Sequence, residues 1–283
     1  MHAYLIMTHG DFDILEKTLL LLDDENNDFY IHVDKKVKNF NFDYYKGLVK
    51  YSNIYFLKKR RDIFWGSHRI IWTELDLFKE AYKNHYEYYH LLSGCDMPIK
   101  NKIEIKEFFE NHQDTEFINI NKISDSNNNK DRINRFKYFY FLKSSRIDSY
   151  FRGLQKLFHI DRYKDKYEAA FGSEWVSLSN SGVKALIRNE KWIKKTYKYT
   201  YCCDEIYKQT IIHNENLKIY KGEVPNLRYI IWDDGISEYH PRVLRETDYE
   251  DIISSGCLFA RKFSSKDDKI IIEKITNALS IKQ

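Results

Sequence analysis

Short apolar runs alternate with amphipathic stretches through the first half of the chain. The runs AYLIMTH, DFYIHVD, NIYFL, YYHLLSG and EFINI have the length and composition of buried strands. Between the first two, one helical face is formed by Ile14, Leu15, Thr18, Leu19 and Leu22. A second amphipathic stretch starts at Ser67 and places on one face Ile71, Leu75, Phe78 and Tyr82. This alternation predicts an α/β fold with a mostly parallel central sheet and helices on both faces.

Two capping signatures predict where helices begin. Asp13 is followed three residues later by Glu16, which is the pattern of a capping box directly after the first strand. Asn101 and Glu104 repeat the pattern after the fourth strand. Both helices would then start on the chain segment that leaves a strand, as in a doubly wound sheet.

The second half of the chain is less regular. Strands are predicted in EWVSLS, LRYIIW and LFARKF, with helices near Ser181 and Asp204 and a further helix at the C-terminus. Polar and aromatic residues alternate over residues 121–165, and this segment is interpreted as an irregular insertion. The chain has neither internal repeats nor a Pro/Gly-rich linker, so we expect a single domain over residues 1–283.

Composition restricts the class of protein without changing this picture. The 283 residues are 43% hydrophobic and 16% aromatic, which indicates a globular protein. The net charge is +4, and the basic run at 58–61 is typical of a solvated loop, so nucleic-acid binding is not expected. No signal-peptide pattern and no bilayer-length apolar stretch is present. Four cysteines without Cys-x-x-Cys spacing predict neither zinc nor disulfides, so we expect a soluble cytoplasmic protein.

Polar residues follow two of the predicted strands at their carboxyl ends. Asp34 ends the strand DFYIHVD, and Ser93, Gly94 and Asp96 follow YYHLL. Ligands of parallel sheets bind at such ends, where a carboxylate can accept hydrogen bonds from ribose hydroxyls or a uracil N–H. The other interpretation is that both aspartates are ordinary turn or capping residues. At this stage both interpretations stay open.

The stretch FWGSHR places an aromatic residue and a glycine just before a helix. Trp65 could stack on a sugar or a base beside the helix N-terminus. The competing interpretation, a core tryptophan followed by a turn glycine at Gly66, is favoured by the local pattern alone.

A divalent-metal site is not indicated. The Asp-x-Asp pair of the chain is Asp11-Phe12-Asp13, and Asp13 is already explained as a helix cap. The histidines have no ligand spacing, and neither a Gly-rich phosphate loop nor a nucleophile elbow is present. We therefore expect no metal and no resident cofactor.

An acidic pair opens the stretch CCDEIYKQTII. Asp204 is placed to cap a helix and Glu205 lies in its first turn, where carboxylates complement the helix dipole. Glu205 could instead act as a general base. Spacing alone favours the first interpretation.

Two adjacent cations interrupt the apolar run LFARKF. Burying an unpaired cation is costly, so at least one of Arg261 and Lys262 should meet an anion. Because alternate side chains of a strand face opposite ways, the two should not share one ligand. We expect Lys262 to face the ligand and Arg261 to face solvent or a carboxylate.

Eight fragments in the same order resemble one family. HVDKK, WGSHRIIWTEL, YYHLLSGCDMPI, FGSEWVSLSNSGVKALI, CCDEIYKQTI, LRYIIW, HPRVL and LFARKF are similar to segments of the core-2/I-branching β-1,6-N-acetylglucosaminyltransferase family. That family also includes peptide O-xylosyltransferases. The resemblance runs from about Ala3 to about Lys269 and is greatest to bacterial-type members without a membrane anchor.

The resemblance implies a Rossmann-like glycosyltransferase A-type fold and an enzyme. The implied reaction is inverting transfer of a sugar, most often N-acetylglucosamine, from a UDP donor to a glycan hydroxyl. The family needs no metal, because basic side chains stabilise the departing diphosphate. The anion expected at the LFARKF cations would then be a pyrophosphate.

The resemblance also assigns roles to individual residues. Glu205 matches the catalytic base, and Lys262 matches a diphosphate-binding lysine. Arg242 matches its arginine partner, with Arg245 as the alternative because the spacing to LFARKF is shorter than in animal members. The nucleotide side would comprise Val33 and Asp34 together with Ser93, Gly94, Asp96 and Trp65. The acceptor side would comprise Trp232, Glu174, Trp175 and Arg135.

These roles divide the expected domain into two halves. Residues 1–120 would bind the nucleotide, and residues 121–283 would bind the acceptor and carry the catalytic base. The expected partners are a UDP-sugar and a glycan or lipid-linked glycan, in the synthesis of a surface polysaccharide or lipopolysaccharide. A lipid-linked acceptor would bring the protein to the inner face of the membrane. The alternative function is a carbohydrate- or nucleotide-binding module without turnover.

Overall fold

Strand β1 (His2–Thr8) forms the middle of a five-stranded central sheet in the computed structural model of the chain. The sheet order is β3-β2-β1-β4-β8, and the other strands are β2 (Asn27–Val33), β3 (Asn53–Phe56), β4 (Tyr88–Ser93) and β8 (Ser177–Ser179). Strands β1 to β4 pair in parallel, and β8 is antiparallel to β4. The structure describes residues 1–122, 134–135, 137–140, 145–162, 167–232 and 240–280, apart from the side chains of 145–147.

Helices cover both faces of this sheet, as the alternation of apolar runs predicted. Alternate residues of β1 face opposite layers: Tyr4 and Ile6 pack with helices α1 (Phe12–Leu21) and α4 (Lys102–Glu110), whereas Leu5 packs with α3 (Arg69–Tyr82). The α3 layer is continued by α6 (Asn180–Arg188), α7 (Glu190–Tyr197) and α8 (Tyr207–Asn214). The expected α/β fold with a mostly parallel central sheet is therefore confirmed.

A smaller sheet brings the C-terminal part of the chain to the end of β4. Strand β10 (Phe259–Arg261) pairs antiparallel with β5 (Met97–Pro98) and parallel with β9 (Arg228–Ile230). The remaining elements are α2 (Phe42–Lys46), β6 (Asn121–Lys122), α5 (Ser145–Leu157), β7 (Ala170–Phe171), α9 (Tyr249–Ser254), α10 (Lys269–Ser280), and 3₁₀ turns at Cys203–Glu205 and Glu246–Asp248.

The two capping predictions have opposite outcomes. Asn101 caps α4, since its Oδ1 accepts from the N–H groups of Ile103 and Glu104 while Glu104 Oε2 accepts from the Asn101 N–H. The predicted cap at Asp13 is wrong, because α1 begins at Phe12 with Asp11 in the preceding position. Asp11 makes no capping bond, since its carboxylate accepts from the N–H and hydroxyl of Ser265.

Three further expectations are corrected by the structure. EFINI is not a regular strand, because Glu116 and Phe117 make only isolated bridges. Helix α3 begins at Arg69 and not at Ser67, and Tyr82 on its apolar face is half-buried against the core. The expected irregular insertion at 121–165 lies partly outside the described residues, and its described part contains helix α5. Among the helices of the described ranges, none has the length and apolarity needed to cross a bilayer.

Candidate active site

At the carboxyl end of β2, the polar groups of the turn form hydrogen bonds with other groups of the protein. Asp34 is 3% exposed, and its carboxylate accepts from the backbone N–H groups of Lys36 at 2.8 Å and Ile63 at 3.0 Å. Val33 is buried, and its carbonyl accepts from Arg60 Nε at 2.9 Å. Arg60 also binds the Asp34 carbonyl, so this part of the basic run is structural and not a solvated loop. The Asp34 carboxylate thus already has partners within the protein.

The carboxyl end of β4 is hydrogen-bonded in a similar way. Asp96 is 1% exposed and accepts from the Ser93 N–H at 2.9 Å and the Ser93 hydroxyl at 2.6 Å. A Cβ on Gly94 would lie 2.4 Å from the Thr8 hydroxyl oxygen. The glycine is therefore required by the close approach of the chain segments that follow β1 and β4.

Arg261 faces a carboxylate, which was one of the two expected outcomes. Its Nη1 lies 3.7 Å from Asp96 Oδ1, and its guanidinium lies over the Trp175 ring with 4.1 Å between Cζ and the centroid. Trp175 is 8% exposed. The arginine and the indole thus form a buried stack between β8 and the end of β4.

Lys262 has a different environment from its neighbour. Its carbonyl accepts from the Leu244 N–H at 2.8 Å, and the peptide bond that joins it to Arg261 is cis. No carboxylate of the described residues lies within ion-pair distance of its ammonium. Burial and Asp96 raise the pKa of Cys95 to about 11, and the charge of Lys262 opposes this rise. The N–H of the next residue, Phe263, donates to the Cys95 carbonyl at 2.9 Å, so half-buried Lys262 lies close to the end of β4.

The two candidate partner arginines point to different places. Arg242 Nη2 pairs with Asp248 Oδ1 at 2.7 Å, and the Arg242 N–H donates to the Ile231 carbonyl. Arg245 is half-exposed and donates to the Asp267 carbonyl at 3.0 Å, next to α10. The structure therefore brings Arg242, and not Arg245, beside the chain that leaves β9.

The acidic pair lies in a 3₁₀ turn and not at a helix start. Helix α8 begins at Tyr207 and has no side-chain cap, so the predicted capping role of Asp204 is wrong. The Glu205 side chain is 43% exposed, and its Oε2 accepts from Arg135 Nη1 at 2.7 Å. Glu205 and Arg135, which were assigned to different functions, thus form a direct ion pair.

Two further carboxyl groups of the site each have a buried oxygen. Asp204 Oδ1 and Glu174 Oε1 are both buried without a hydrogen-bond partner. Burial, followed by the charges of Glu205 and Glu74, raises the pKa of Asp204 to about 7. Burial and the charge of Asp204 hold the pKa of Glu174 well above its ordinary value. Asp204 and Glu174 thus each have one buried carboxylate oxygen without a hydrogen-bond partner, whereas the Glu205 side chain is 43% exposed.

A buried ion pair supports the 3₁₀ turn, and sequence reasoning missed it. Lys208 Nζ lies 2.5 Å from Glu74 Oε2, and both side chains are 0% exposed. The same ammonium donates to the Asp204 carbonyl at 3.0 Å, and the Tyr207 hydroxyl donates to Glu74 Oε2. The signal in the sequence was a lysine four residues after Asp204, on the buried face of α8.

Trp65 is not a core residue, so the favoured interpretation of FWGSHR was half wrong. Its side chain is 56% exposed, and its ring lies 5.5 Å from that of Tyr201. Gly66 is the expected turn glycine: it has φ +71°, and a Cβ there would lie 2.6 Å from the Tyr201 ring. The Gly66 carbonyl accepts from the Cys202 N–H at 3.0 Å. Trp65 thus lies next to the segment that leads into the Glu205 turn.

Trp232, the expected acceptor aromatic, is 53% exposed and directly precedes residues 233–239, which the structure does not describe. For metals, no group of three or more His, Cys, Asp or Glu among the described residues is arranged to hold an ion. The Asp-x-Asp pair is divided between an Asp11 bound to Ser265 and an exposed Asp13.

Electrostatic contacts connect these groups from one end of the site to the other. The charge of Glu205 raises the pKa of Asp204, and the charge of Asp204 raises the pKa of Glu174. The charge of Arg261 lowers the pKa of Glu174. Lys262 follows Arg261 in the chain. These contacts thus run from the exposed carboxylate of Glu205 to Arg261. Glu205 can accept a proton from one ligand, and Lys262 can bind an anionic group of another.

Comparison with known proteins gives a match over most of the chain. A family profile described as "Branch: Core-2/I-Branching enzyme" matches residues 2–254. Xylosyltransferase 2 from Rattus norvegicus is 23% identical over 299 residues, covering 96% of this chain and 33% of its own length. Xylosyltransferase 2 from Homo sapiens is 22% identical over 298 residues with the same coverage. The chain therefore spans about a third of the length of these curated relatives.

The likeness to solved structures is weaker. Core-mannan synthase A from Aspergillus fumigatus, in an Mn/GDP form, aligns with 76% of this chain and 69% of its own at 11% identity and a TM-score of 0.32. Mouse xyloside xylosyltransferase 1, in an apo form, aligns with 76% of this chain and 82% of its own at 11% identity and a TM-score of 0.30.

Proposed function

The chain belongs to the core-2/I-branching enzyme family, and we propose that it is an inverting glycosyltransferase that uses a UDP-sugar and needs no metal. One observation carries the proposal. Half-buried Lys262 lies close to the end of β4 without an anionic partner among the described residues, and Glu205 carries a carboxylate on a 43% exposed side chain. Inverting transfer needs these two functions, a base for the acceptor and a cation for the leaving group.

Glu205 is the proposed base. Its carboxylate takes the proton of the acceptor hydroxyl as that oxygen attacks the anomeric carbon and the bond from this carbon to the phosphate oxygen breaks. Asp204 and Glu174 are less suited to this role, because each has a buried carboxylate oxygen without a hydrogen-bond partner and a raised pKa. Arg135 orients the carboxylate through its 2.7 Å hydrogen bond and must leave the second oxygen to the acceptor.

Lys262 is the proposed counter-charge for the departing UDP. A cation about 4 Å from a phosphate oxygen contributes roughly 4 kcal/mol at an effective dielectric constant of 20, before desolvation. The contribution to catalysis is the part that grows as the diphosphate gains charge. Arg242 is the proposed second cation. When the diphosphate binds, Arg242 would either keep its ion pair with Asp248 or exchange it for a phosphate oxygen.

The donor sugar is proposed from the family resemblance and from the relatives. N-acetylglucosamine is the first candidate, and xylose is the second because the matched curated relatives are named xylosyltransferases. The acceptor is a glycan hydroxyl, with Trp232 and Trp65 as exposed aromatic side chains that could pack on a sugar ring.

The test is UDP release from a panel of UDP-sugars, including UDP-N-acetylglucosamine and UDP-xylose, with and without EDTA. We expect turnover of at least one donor that EDTA leaves unchanged. Glu205→Gln should lower turnover by roughly 10²- to 10⁴-fold with UDP affinity retained. Glu168→Gln is the matched control, since Glu168 is 45% exposed and also lies beside a cation.

Three outcomes would overturn parts of the proposal. Activity that EDTA abolishes and Mn²⁺ restores would refute metal independence. Loss of UDP binding in Glu205→Gln would refute its role as base. Sugar binding without turnover of any UDP-sugar would favour the non-catalytic module.

A further inference from the structure

Helix α5 and the residue after it expose several large apolar side chains. Tyr150 is 67% exposed, Leu157 is 70% exposed, and Phe158, directly after the helix, is 71% exposed. Tyr150 and Leu157 are two helical turns apart and lie along one face, and Phe158 follows directly after the helix. Exposed apolar side chains that cluster in this way mark an interaction surface.

A polar side chain connects the same helix to the rest of the protein. Gln155 is 6% exposed, its Oε1 accepts from the Phe139 N–H at 2.8 Å, and its Nε2 donates to the Phe139 carbonyl at 3.1 Å. An amide side chain thus attaches the helix to the protein, while Leu157 and Phe158 are exposed.

Charge identifies the partner. The segment 145–158 carries Arg146, Arg152 and Lys156 against one acidic residue, Asp148. Lys156 is exposed and adjacent to Leu157 in the chain. Aromatic and aliphatic side chains flanked by cations suit the interface of a bilayer that contains anionic lipid. We propose that α5 is a docking helix that lies on an anionic membrane surface.

A series of contacts connects α5 with the acceptor side of the site. The Arg152 guanidinium lies 5.4 Å from the centre of the Tyr140 ring, which stacks on Tyr201 at 5.4 Å. Tyr201 contacts Trp65, and its N–H donates to the carbonyl of Arg135, the partner of Glu205. Helix α5 would therefore lie between a bound membrane and the acceptor side. The consequence that a lipid-linked glycan reaches Glu205 rests on the proposed function, whereas the docking itself does not.

Co-sedimentation with vesicles tests the docking. We expect the protein to sediment with vesicles of phosphatidylcholine mixed with phosphatidylglycerol, and less with phosphatidylcholine alone or at high salt. Leu157→Ser combined with Phe158→Ser should lower the partition coefficient by about 10- to 100-fold, since two apolar side chains no longer enter the interface. Lys156→Glu should lower it for the anionic vesicles.

Tyr51→Ser is the matched control, because Tyr51 is 56% exposed and lies beside Lys50 elsewhere on the surface. It should sediment like the wild type, and all variants should release UDP at the wild-type rate with a soluble acceptor. Absence of vesicle binding by the wild type, or equal binding by the double variant, would overturn the proposal. So would a wild-type dimer that the double variant converts to a monomer in analytical ultracentrifugation, because the face would then bind a second copy. Failure of UDP release alone would count against the activity and not against the docking.

Discussion

Glu205 and Arg135 are joined by a 2.7 Å hydrogen bond between Oε2 and Nη1, although 70 positions separate them in the chain. The Arg135 carbonyl also accepts from the Tyr201 N–H at 3.3 Å, so main chain and side chain both hold the segment beside the Glu205 turn. The proposed base is thus oriented by a cation from another part of the fold.

Removing this cation should slow transfer without weakening UDP binding. Arg135→Ala loses a charge-assisted hydrogen bond of about 1.5–3 kcal/mol, so we expect kcat to fall by roughly 10- to 100-fold. Arg135→Lys keeps the charge but not the planar geometry and should recover part of the rate. Steady-state kinetics with a soluble acceptor, together with UDP titration by calorimetry, check both effects. Equal kcat in Arg135→Ala and wild type would show that the ion pair has no role in turnover.

Lys262 should contribute to UDP binding and still more to turnover. Lys262→Gln removes the unpaired ammonium close to the end of β4, and we expect UDP affinity to fall by about tenfold and kcat/KM by more. Lys266→Gln is the control, since Lys266 is exposed and lies four residues further along the chain. This prediction is tested by the UDP dissociation constants of wild type, Lys262→Gln and Lys266→Gln, measured at two salt concentrations. An unchanged dissociation constant in Lys262→Gln would place the diphosphate elsewhere.

Breaking the buried ion pair of Glu74 and Lys208 should destabilise the protein, whereas replacing both residues together should not. Lys208→Met leaves the Glu74 carboxylate unpaired in the core, and we expect the free energy of unfolding to fall by about 3–5 kcal/mol. Adding Glu74→Gln should restore most of the loss, because no uncompensated charge is left. Urea unfolding of both single variants and the double variant measures the coupling. Additive losses in the double variant would contradict this account.

Glu116 should make stability fall as pH rises through the weakly acidic range. Its carboxylate is fully buried and accepts from the Ser179 N–H at 2.9 Å, and burial raises its pKa from 4.5 to about 7. Between these values the folded state binds more protons than the unfolded state, so the free energy of unfolding decreases with rising pH.

Glu116→Gln should remove that part of the pH dependence. Relative to wild type, the variant should gain up to about 3 kcal/mol between pH 4 and pH 8, following 1.36 kcal/mol for each unit of pKa shift. Urea unfolding at several pH values gives the difference, with Glu110→Gln as the exposed control. A difference between Glu116→Gln and wild type that does not vary with pH would show that Glu116 ionises normally.

Local patterns predicted those features that neighbouring residues decide. The apolar runs predicted β1 to β4 and the helical layers, because burial on two faces depends on side chains within one strand or helix. The Asn101–Glu104 cap was confirmed because both partners lie in one turn. The cap at Asp13 was wrong because Ser265, far away in sequence, holds Asp11 at the helix start.

The family and the candidate base and cation followed from the sequence alone, because they depend on residue types in a fixed order. Only the tertiary structure decided which charges have partners. Three ion pairs join residues that are far apart in the chain. They are Arg261 with Asp96, Glu205 with Arg135, and Lys208 with Glu74. Lys262 was left without an anion among the described residues. The physical reason is that an ion pair depends on the separation and burial of two groups in space, which sequence distance does not report.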